Sequence, residues 1–467
     1  MAVNGCEIGI IGLGVMGRNL LLNMAEHGFT VAGYDRKKEK AEQLKAETQG
    51  KGVHAFERFD TFFASLREPR VAMLMVTAGA PVDDVLRQLE PHLRPGDILI
   101  DGGNSHFRDT DRRAQAAAKQ GIQYLGVGIS GGESGARHGP SIMPGGPRQA
   151  AGEVLPVFRA IAAKVDGDPC VTYLGPGSAG HYVKMVHNAI EYGVMQLIAE
   201  TYDLMKRGLG LSNDELASVY AEWGRGELSS FLLSLTAEIF KREDERTGGR
   251  LIDKILDEAR QLGTGSWASQ DAMELEVPVP TLDAAVALRS LSVLRPERKA
   301  AANSFPGLSS LGDERDAFLK KLRGGLYLAT LLAYAQGMAL LHRASQTREY
   351  GLKLDEVARI WRGGCIIRAA LLEPIRSAFQ DNPVLPNLLL APAIAKTFRE
   401  RVGDLRAVVS QAVQAGIPVP GLSSAIAYLD AYRSAWLPAN LIQAQRDAFG
   451  SHQYERIDVT GKFHSQW

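Results

Sequence analysis

The sequence predicts a Rossmann-type α/β nucleotide-binding domain followed by a large all-α domain with an internal duplication and a C-terminal tail. Three observations predict it. A strand–GxGxxG–helix pattern opens the chain, the alternation of strand and helix signals stops near residue 178, and a short helical signature recurs in the second half.

Ile8-Gly9-Ile10-Ile11 is a short buried-strand pattern, and Gly12-Leu13-Gly14-Val15-Met16-Gly17 follows at once. Leu20, Leu21, Met24 and Ala25 then continue at helical spacing. In this context the first glycine makes a tight turn, the second admits a pyrophosphate to the backbone, and the third lets helix and strand pack closely. The phosphates then face the positive end of the helix. A second strand, Thr30 to Tyr34, ends at Asp35, about 20 residues beyond the glycines, where an acid meets the ribose hydroxyls. Asp35 favours NAD because it repels a 2′-phosphate, whereas Arg36, Lys37 and Lys38 favour NADP. The acid tilts the expectation toward NAD or dual use.

Further apolar runs, Val71 to Val76, Ile98 to Ile100, Tyr124 to Val127 and Val171 to Leu174, alternate with helical patterns such as Ala114 to Lys119. That is the rhythm of a parallel sheet with crossover helices. After Gly175-Pro176-Gly177 helical spacing dominates to about residue 435. Gly210-Leu211 with Asp214-Glu215-Leu216-Ala217 recurs as Gly351-Leu352 with Asp355-Glu356-Val357-Ala358, which predicts two similar helical units. The expected division is therefore 1–178 for the nucleotide domain, 179–435 for the helical domain and 436–467 for a partly irregular tail.

One predicted helix carries chemistry. Lys184, His187, Asn188, Glu191 and Tyr192 fall at i, i+3, i+4, i+7 and i+8, so they share a face. Tyr182, Met185, Val186, Ala189 and Ile190 form the opposite, core-facing side. A base, an acid and three hydrogen-bonding groups on one rigid helix suit proton transfer. An ordinary amphipathic helix with its polar side in water reads the same way from sequence.

Composition narrows the classes. Basic and acidic residues balance at 53 each, so no overall field favours nucleic acid or a membrane. Cys6, Cys170 and Cys365 are few and far apart, which suits a reducing cytoplasm and shows neither a disulfide framework nor zinc spacing; no metal is expected. No signal-peptide pattern precedes the first strand, and no run of about 18 apolar residues is evident. A soluble cytoplasmic protein is expected.

Over essentially its whole length the chain resembles the decarboxylating 6-phosphogluconate dehydrogenase family within the β-hydroxyacid dehydrogenases. The segments that carry the likeness are Gly12 to Gly17, Asp101-Gly102-Gly103-Asn104-Ser105, Ser130-Gly131-Gly132-Glu133, Lys184-Met185-Val186-His187-Asn188 with Glu191-Tyr192-Gly193, Trp361-Arg362-Gly363-Gly364-Cys365, and Leu437-Pro438-Ala439-Asn440 through Gln445-Arg446-Asp447. The last two are absent from shorter β-hydroxyacid dehydrogenases. The resemblance implies oxidative decarboxylation of 6-phosphogluconate in the pentose phosphate pathway, with reduction of NADP or NAD. It implies Lys184 as base and Glu191 as acid, the former needing a lowered and the latter a raised pKa. Asn104, Ser130, Gly131, Gly132, His187, Asn188, Tyr192 and Arg289 match substrate contacts. Val76, Thr77, Ala78 and Asn104 match the cofactor wall. A homodimer is implied, in which Arg446 and His452 on the tail complete the partner's site.

Some positions depart from the family. Leu262 and Ser266 flank Gly263-Thr264-Gly265 where lysines are usual, the first of which grips the substrate phosphate. Asp35 replaces an asparagine usual in NADP users, and Thr77 a common lysine. All of these remove positive charge from the neighbourhood of phosphates. Two other readings therefore stay open: a dehydrogenase of another sugar acid such as gluconate, and a non-catalytic dinucleotide-binding sensor.

Overall fold

In the computed structural model, which describes residues 5–48, 52–261, 263–305, 307, 310–311 and 314–467, the apolar runs before Gly146 build a seven-stranded sheet. Strands β1 (Ile8–Ile11), β2 (Val31–Tyr34), β3 (Val53–Phe56), β4 (Val71–Leu74), β5 (Ile98–Asp101), β6 (Gln123–Ser130) and β7 (Ser141–Gly145) lie in the order β3-β2-β1-β4-β5-β6-β7. The first six are parallel, and β7 runs antiparallel to β6. Strand order reverses between β1 and β4, so a crevice opens beyond their carboxyl ends, the place where open α/β sheets bind ligands.

Two strands have weak sequence signals. β3 is Val53-His54-Ala55-Phe56, with polar His54 in a four-residue strand. β7 contains Pro144 and Gly145, which argue against a strand, yet it lies at the sheet's edge, where proline is tolerated. The run Val171 to Leu174 forms no strand. Val171 makes one bridge to Ile142, and the Leu174 N–H donates to the Pro144 carbonyl beyond the sheet edge. The apolar residues there serve packing rather than a ladder.

From Ala179 to Tyr432 the named elements are helices. Two long ones, Ala179–Asp203 and Arg315–Thr347, pack together in the main hydrophobic core. The repeat is visible as a shared succession: long helix, positive-φ glycine (Gly210 or Gly351), then a shorter helix (Asn213–Trp223 or Leu354–Trp361). Each unit closes with a helix entered through Val-Pro, Pro280–Ser292 and Pro420–Tyr432. The units are tied reciprocally. Glu200 on the first long helix accepts the Gly421 and Leu422 N–H groups at 2.7 and 2.9 Å. Gln336 on the second accepts the Thr281 N–H at 2.9 Å. Each long helix thus caps the closing helix of the other unit, satisfying donors that the helix leaves unpaired.

The helix Arg315–Thr347 corrects one expectation from sequence. It is long and apolar enough, by length and composition, to cross a membrane, but nearly all of its apolar window is buried inside the protein. It is apolar all round because it is a core helix. The three cysteines are free and buried. The tail is more regular than its sequence suggests, with a helix at Ala439–Gly450 and a two-stranded pair, Tyr454–Glu455 with Lys462–Phe463.

Burial pushes the Glu200 carboxyl up to about 7, against the opposing pull of its N–H donors. Its folded pKa lies above the ordinary value, so its contribution to stability is complete below about pH 4 and is lost as pH rises toward 7, at a cost of up to about 3 kcal/mol. Wild-type thermal stability is therefore expected to decline between pH 5 and pH 8 relative to a Glu200→Gln variant. Parallel Tm–pH curves for the two proteins would refute it.

Candidate active site

The turn after β1 is built for close approach. Gly12 has φ +101°, and a Cβ there would stand 2.7 Å from the Met75 carbonyl oxygen. A Cβ on Gly17 would fall 2.0 Å from the Gly12 carbonyl oxygen, so glycine is required for the helix Val15–Glu26 to seat against the turn. At Gly14 a Cβ would meet nothing within 4 Å. Gly14 caps that helix without a side-chain hydrogen bond, and no acidic residue occupies the first turn. The helix start therefore offers its backbone N–H groups to an anion, which fits a dinucleotide pyrophosphate.

Asp35 is buried, and its carboxylate is already engaged. It accepts the Leu13 N–H at 2.8 Å, the Lys37 N–H at 2.9 Å and the Lys40 ammonium at 3.3 Å. Leu13 is buried, whereas Arg36 and Lys37 have exposed side chains. The Lys40 pairing offsets the charge that would repel a 2′-phosphate.

A cleft of about 890 Å³ runs from this turn to the helical half. Gly14, Val15 and Met16 lie at one end with Val76, Thr77, Ala78 and Asn104; Ser130, Gly131, Gly132, Lys184, Asn188, Glu191, Tyr192 and Arg289 continue the wall. Most residues singled out from sequence thus line one space. The Asn104 turn is held from beneath by a network absent from the sequence reading. Asp101 accepts from Gly103 N at 3.0 Å and Ser105 Oγ at 2.6 Å. Buried Arg113 lies 3.5 Å from Asp101 and donates to the Gly79 carbonyl at 2.9 Å, joining this turn to the Val76-Thr77-Ala78 side of the cleft. Asp101 lay inside a recognised motif, but Arg113 sits in a polar helical stretch and carried no signal.

The polar stripe is buried, which excludes a solvent-facing amphipathic helix. Lys184 is 6% exposed, His187 0% and Asn188 8%. The helix approaches β6 so closely that a Cβ on Gly128 would stand 2.4 Å from the Lys184 Cβ. Lys184 Nζ donates to Asn188 Oδ1 at 2.8 Å, and His187 Nδ1 lies 3.1 Å from the same oxygen. An oxygen can only accept, so Nδ1 carries the proton, and His187 Nε2 accepts from Ser130 Oγ at 3.2 Å. His187 therefore lies behind the cleft and orients Asn188 and Ser130 rather than lining the space.

Burial lowers the pKa of the Lys184 ammonium, against the opposing pull of Glu191. Burial raises that of Glu191, against Lys184 and Arg289. Burial, reinforced by Lys184, holds His187 well below its ordinary range and neutral. Burial thus shifts the amine and the carboxyl each toward its uncharged form, a pair suited to moving protons.

Arg289 stacks over the Tyr192 ring at 3.3 Å and opens onto the cleft. Arg260, Gln261, Thr264 and Trp267 line the same cleft and were not singled out from sequence as site residues. Thr264 lay within a recognised motif, while Arg260 belongs to an irregular connection without helical or strand periodicity. Leu262 lies outside the described residues. Ser266 donates its hydroxyl to the Gly263 carbonyl at 2.8 Å. Arg446 and His452 are exposed on the tail and do not reach the cleft of their own chain. Among the described residues no group of three or more His, Cys, Asp and Glu side chains is arranged to hold a metal ion.

Residues 7–175 match the NAD binding domain of 6-phosphogluconate dehydrogenase, and residues 180–467 match the 6-phosphogluconate dehydrogenase C-terminal domain. The chain is 50% identical over 463 residues to an NADP(+)-dependent, decarboxylating 6-phosphogluconate dehydrogenase of Bacillus subtilis, covering 99% of each chain. It is 51% identical over 466 residues to the decarboxylating enzyme of Synechococcus elongatus, again covering 99% of each. The Plasmodium falciparum 6-phosphogluconate dehydrogenase, solved in its apo form and with NADP+ and 6-phosphogluconate, superposes with a TM-score of 0.95 at 40% identity, covering 99% of this chain and 100% of that one.

Proposed function

This chain belongs to the 6-phosphogluconate dehydrogenase family, and from that premise we infer that it oxidatively decarboxylates 6-phospho-D-gluconate to D-ribulose 5-phosphate and carbon dioxide with reduction of NADP. The observation that carries the reading is the buried Lys184–Glu191 pair opening onto the same cleft as the glycine turn. When bound, NADP supplies the hydride acceptor. Gly14, Val15 and Met16 at the helix start would hold its pyrophosphate, with Val76, Thr77, Ala78 and Asn104 along its wall.

Neutral Lys184 takes the proton of the substrate C3 hydroxyl as C3 loses its hydride. The product is a 3-keto acid whose carbonyl lies β to the carboxylate. The ammonium of Lys184 then hydrogen-bonds the ketone oxygen and protonates it as the C1–C2 bond breaks and carbon dioxide leaves. Glu191 protonates the carbon that lost carbon dioxide, while the enol proton returns to Lys184. Transfer of that proton from Lys184 to Glu191 restores both groups. Asn188 and Ser130, fixed by His187, orient the substrate hydroxyls, and Ser130-Gly131-Gly132 receives the carboxylate.

The phosphate falls at the opposite end. The cations lining the cleft there are Arg289 and Arg260, beside Thr264 and Tyr192. Arg260 supplies the charge that a lysine at position 262 would have brought. Arg260→Ala is expected to raise the KM for 6-phosphogluconate about tenfold or more with little change in kcat, the loss of one charge-assisted contact. An unchanged KM would remove Arg260 from the site.

NADP is the family's coenzyme, and use of NAD as well rests on Asp35, whose carboxylate retains acceptor capacity although Lys40 offsets its charge. We assign the tail to a homodimer, with Arg446 and His452 completing the second subunit's cleft. Its exposed apolar side chains, Leu441, Ile442 and Phe449 among them, suit burial against another chain. A cytoplasmic setting is consistent with the free, buried cysteines.

The deciding experiment is steady-state reduction of NADP and NAD in parallel, with 6-phosphogluconate and with gluconate, while carbon dioxide is collected. Turnover of 6-phosphogluconate with stoichiometric carbon dioxide is expected. Activity confined to gluconate would overturn the substrate, and coenzyme binding without turnover of either would overturn the enzyme reading.

A further inference from the structure

The C-terminal tail has a helix and a strand pair but almost no core. Of the helix Ala439–Gly450 the one buried residue is a charged one, Asp447. Phe449, Ile457 and Trp467 are 77%, 90% and 67% exposed, so apolar burial does not hold the tail together. What converges instead is a set of donors on one carboxylate. Asp447 Oδ1 accepts from Gln453 N and His464 Nδ1, each at 2.9 Å. Oδ2 accepts from Ser465 N at 3.1 Å and Trp467 Nε1 at 2.8 Å. Four donors meet the roughly four lone-pair sites of a carboxylate, leaving it fully satisfied. Shielding from water opposes ionisation, yet these donors, His464 first, hold the carboxyl well below the usual range.

The clamp bears directly on the two residues the tail would deliver. His452 sits between Ser451 and Gln453, which have φ values of 51° and 59°, left-handed conformations that are costly for non-glycine residues. Asp447 pins both flanks: its carbonyl accepts the Ser451 N–H at 2.8 Å and its carboxylate the Gln453 N–H. The Gln453 carbonyl in turn accepts from Gln443 Nε2, and Gln443 Oε1 accepts from Arg446 at 3.0 Å. Arg446 is thus linked through Gln443 to Gln453 beside His452, and Asp447 holds Gln453 from the other side.

We propose that Asp447 is a positioning residue that presets Arg446 and His452 in one arrangement before the tail enters the second subunit's cleft. The proposal rests on the homodimer reading of the tail. Without the clamp, the two left-handed residues relax and the tail must order itself on docking, which weakens substrate binding more than it slows chemistry.

Asp447→Asn replaces acceptor positions with an amide that faces donors. In the full-length dimer it is expected to lower kcat/KM for 6-phosphogluconate about tenfold or more, mostly through KM, with NADP affinity unchanged. Trp467→Phe, which removes one donor, lowers it less and in the same direction. Mixed dimers isolated by two affinity tags, pairing an Asp447→Asn chain with a Lys184→Ala chain, then regain one working site, because the intact tail serves the intact cleft. Wild-type kinetics in Asp447→Asn alongside a large loss in Arg446→Ala would overturn the role of Asp447 and leave the tail reading standing. Wild-type kinetics in Arg446→Ala as well would overturn the tail reading itself. An inactive Asp447→Asn that no mixed dimer rescues would overturn the positioning role in favour of a folding defect.

Discussion

Replacing Lys184 with methionine is expected to lower kcat for 6-phosphogluconate oxidation about 10³-fold or more, the upper part of the range for general base catalysis, because the same amine serves two steps. In the proposed mechanism it removes the hydroxyl proton and then supports the decarboxylating ketone. Methionine keeps the unbranched stem and most of its volume, so the contact with Gly128 and the burial of the helix persist. NADP affinity, measured by fluorescence titration, should stay near wild type, since the residues proposed to hold the cofactor line the cleft from the sheet domain. Asn188 Oδ1 would lose one donor but keep His187. A kcat within about tenfold of wild type would remove Lys184 as the base.

Glu191→Gln is expected to cost about 10²- to 10³-fold in kcat, within the usual range for a single positioned acid. Glutamine resembles the protonated carboxyl that burial favours, so folding and substrate binding should change little. It cannot deliver a proton to carbon. The wild-type profile of kcat/KM against pH should be bell-shaped, because the proposed mechanism needs Lys184 deprotonated and Glu191 protonated. Rising pH ionises Glu191 and falling pH charges Lys184, so each limb reports the pair rather than either residue alone. In Glu191→Gln one limb should vanish while the other persists. Two intact limbs in the variant would assign the acid elsewhere.

Much of the site was legible because its residues are close in sequence. The glycine turn needs six consecutive residues, and the stripe on Ala179–Asp203 repeats at the pitch of one helix. Local periodicity carries that information. Arg113 was illegible, since what defines it is its pairing with Asp83 and Gly79, remote along the chain, while it packs against the Asp101 turn. Arg260 was missed for the same reason, since only the fold brings it onto the same cleft as Arg289. β7 was hidden by Pro144 and Gly145, whose cost vanishes at an edge strand, and being an edge is a property of the sheet.

By itself the sequence determined the class of fold, the position of the dinucleotide turn, the recurrence of the helical unit and the face shared by Lys184, Asn188 and Glu191. All of these follow from spacing within one element or from the succession of elements along the chain. The tertiary structure alone decided the protonation preferences, because desolvation depends on what surrounds a group: Lys184 is pushed toward its neutral form by a core assembled from both long helices and β6. It likewise decided that Glu200 and Gln336 cap helices of opposite repeats, that Lys40 offsets Asp35, and that an exposed tail folds around Asp447. Pairwise contacts between distant segments leave no period in the chain, so they become visible only when the fold brings the partners together.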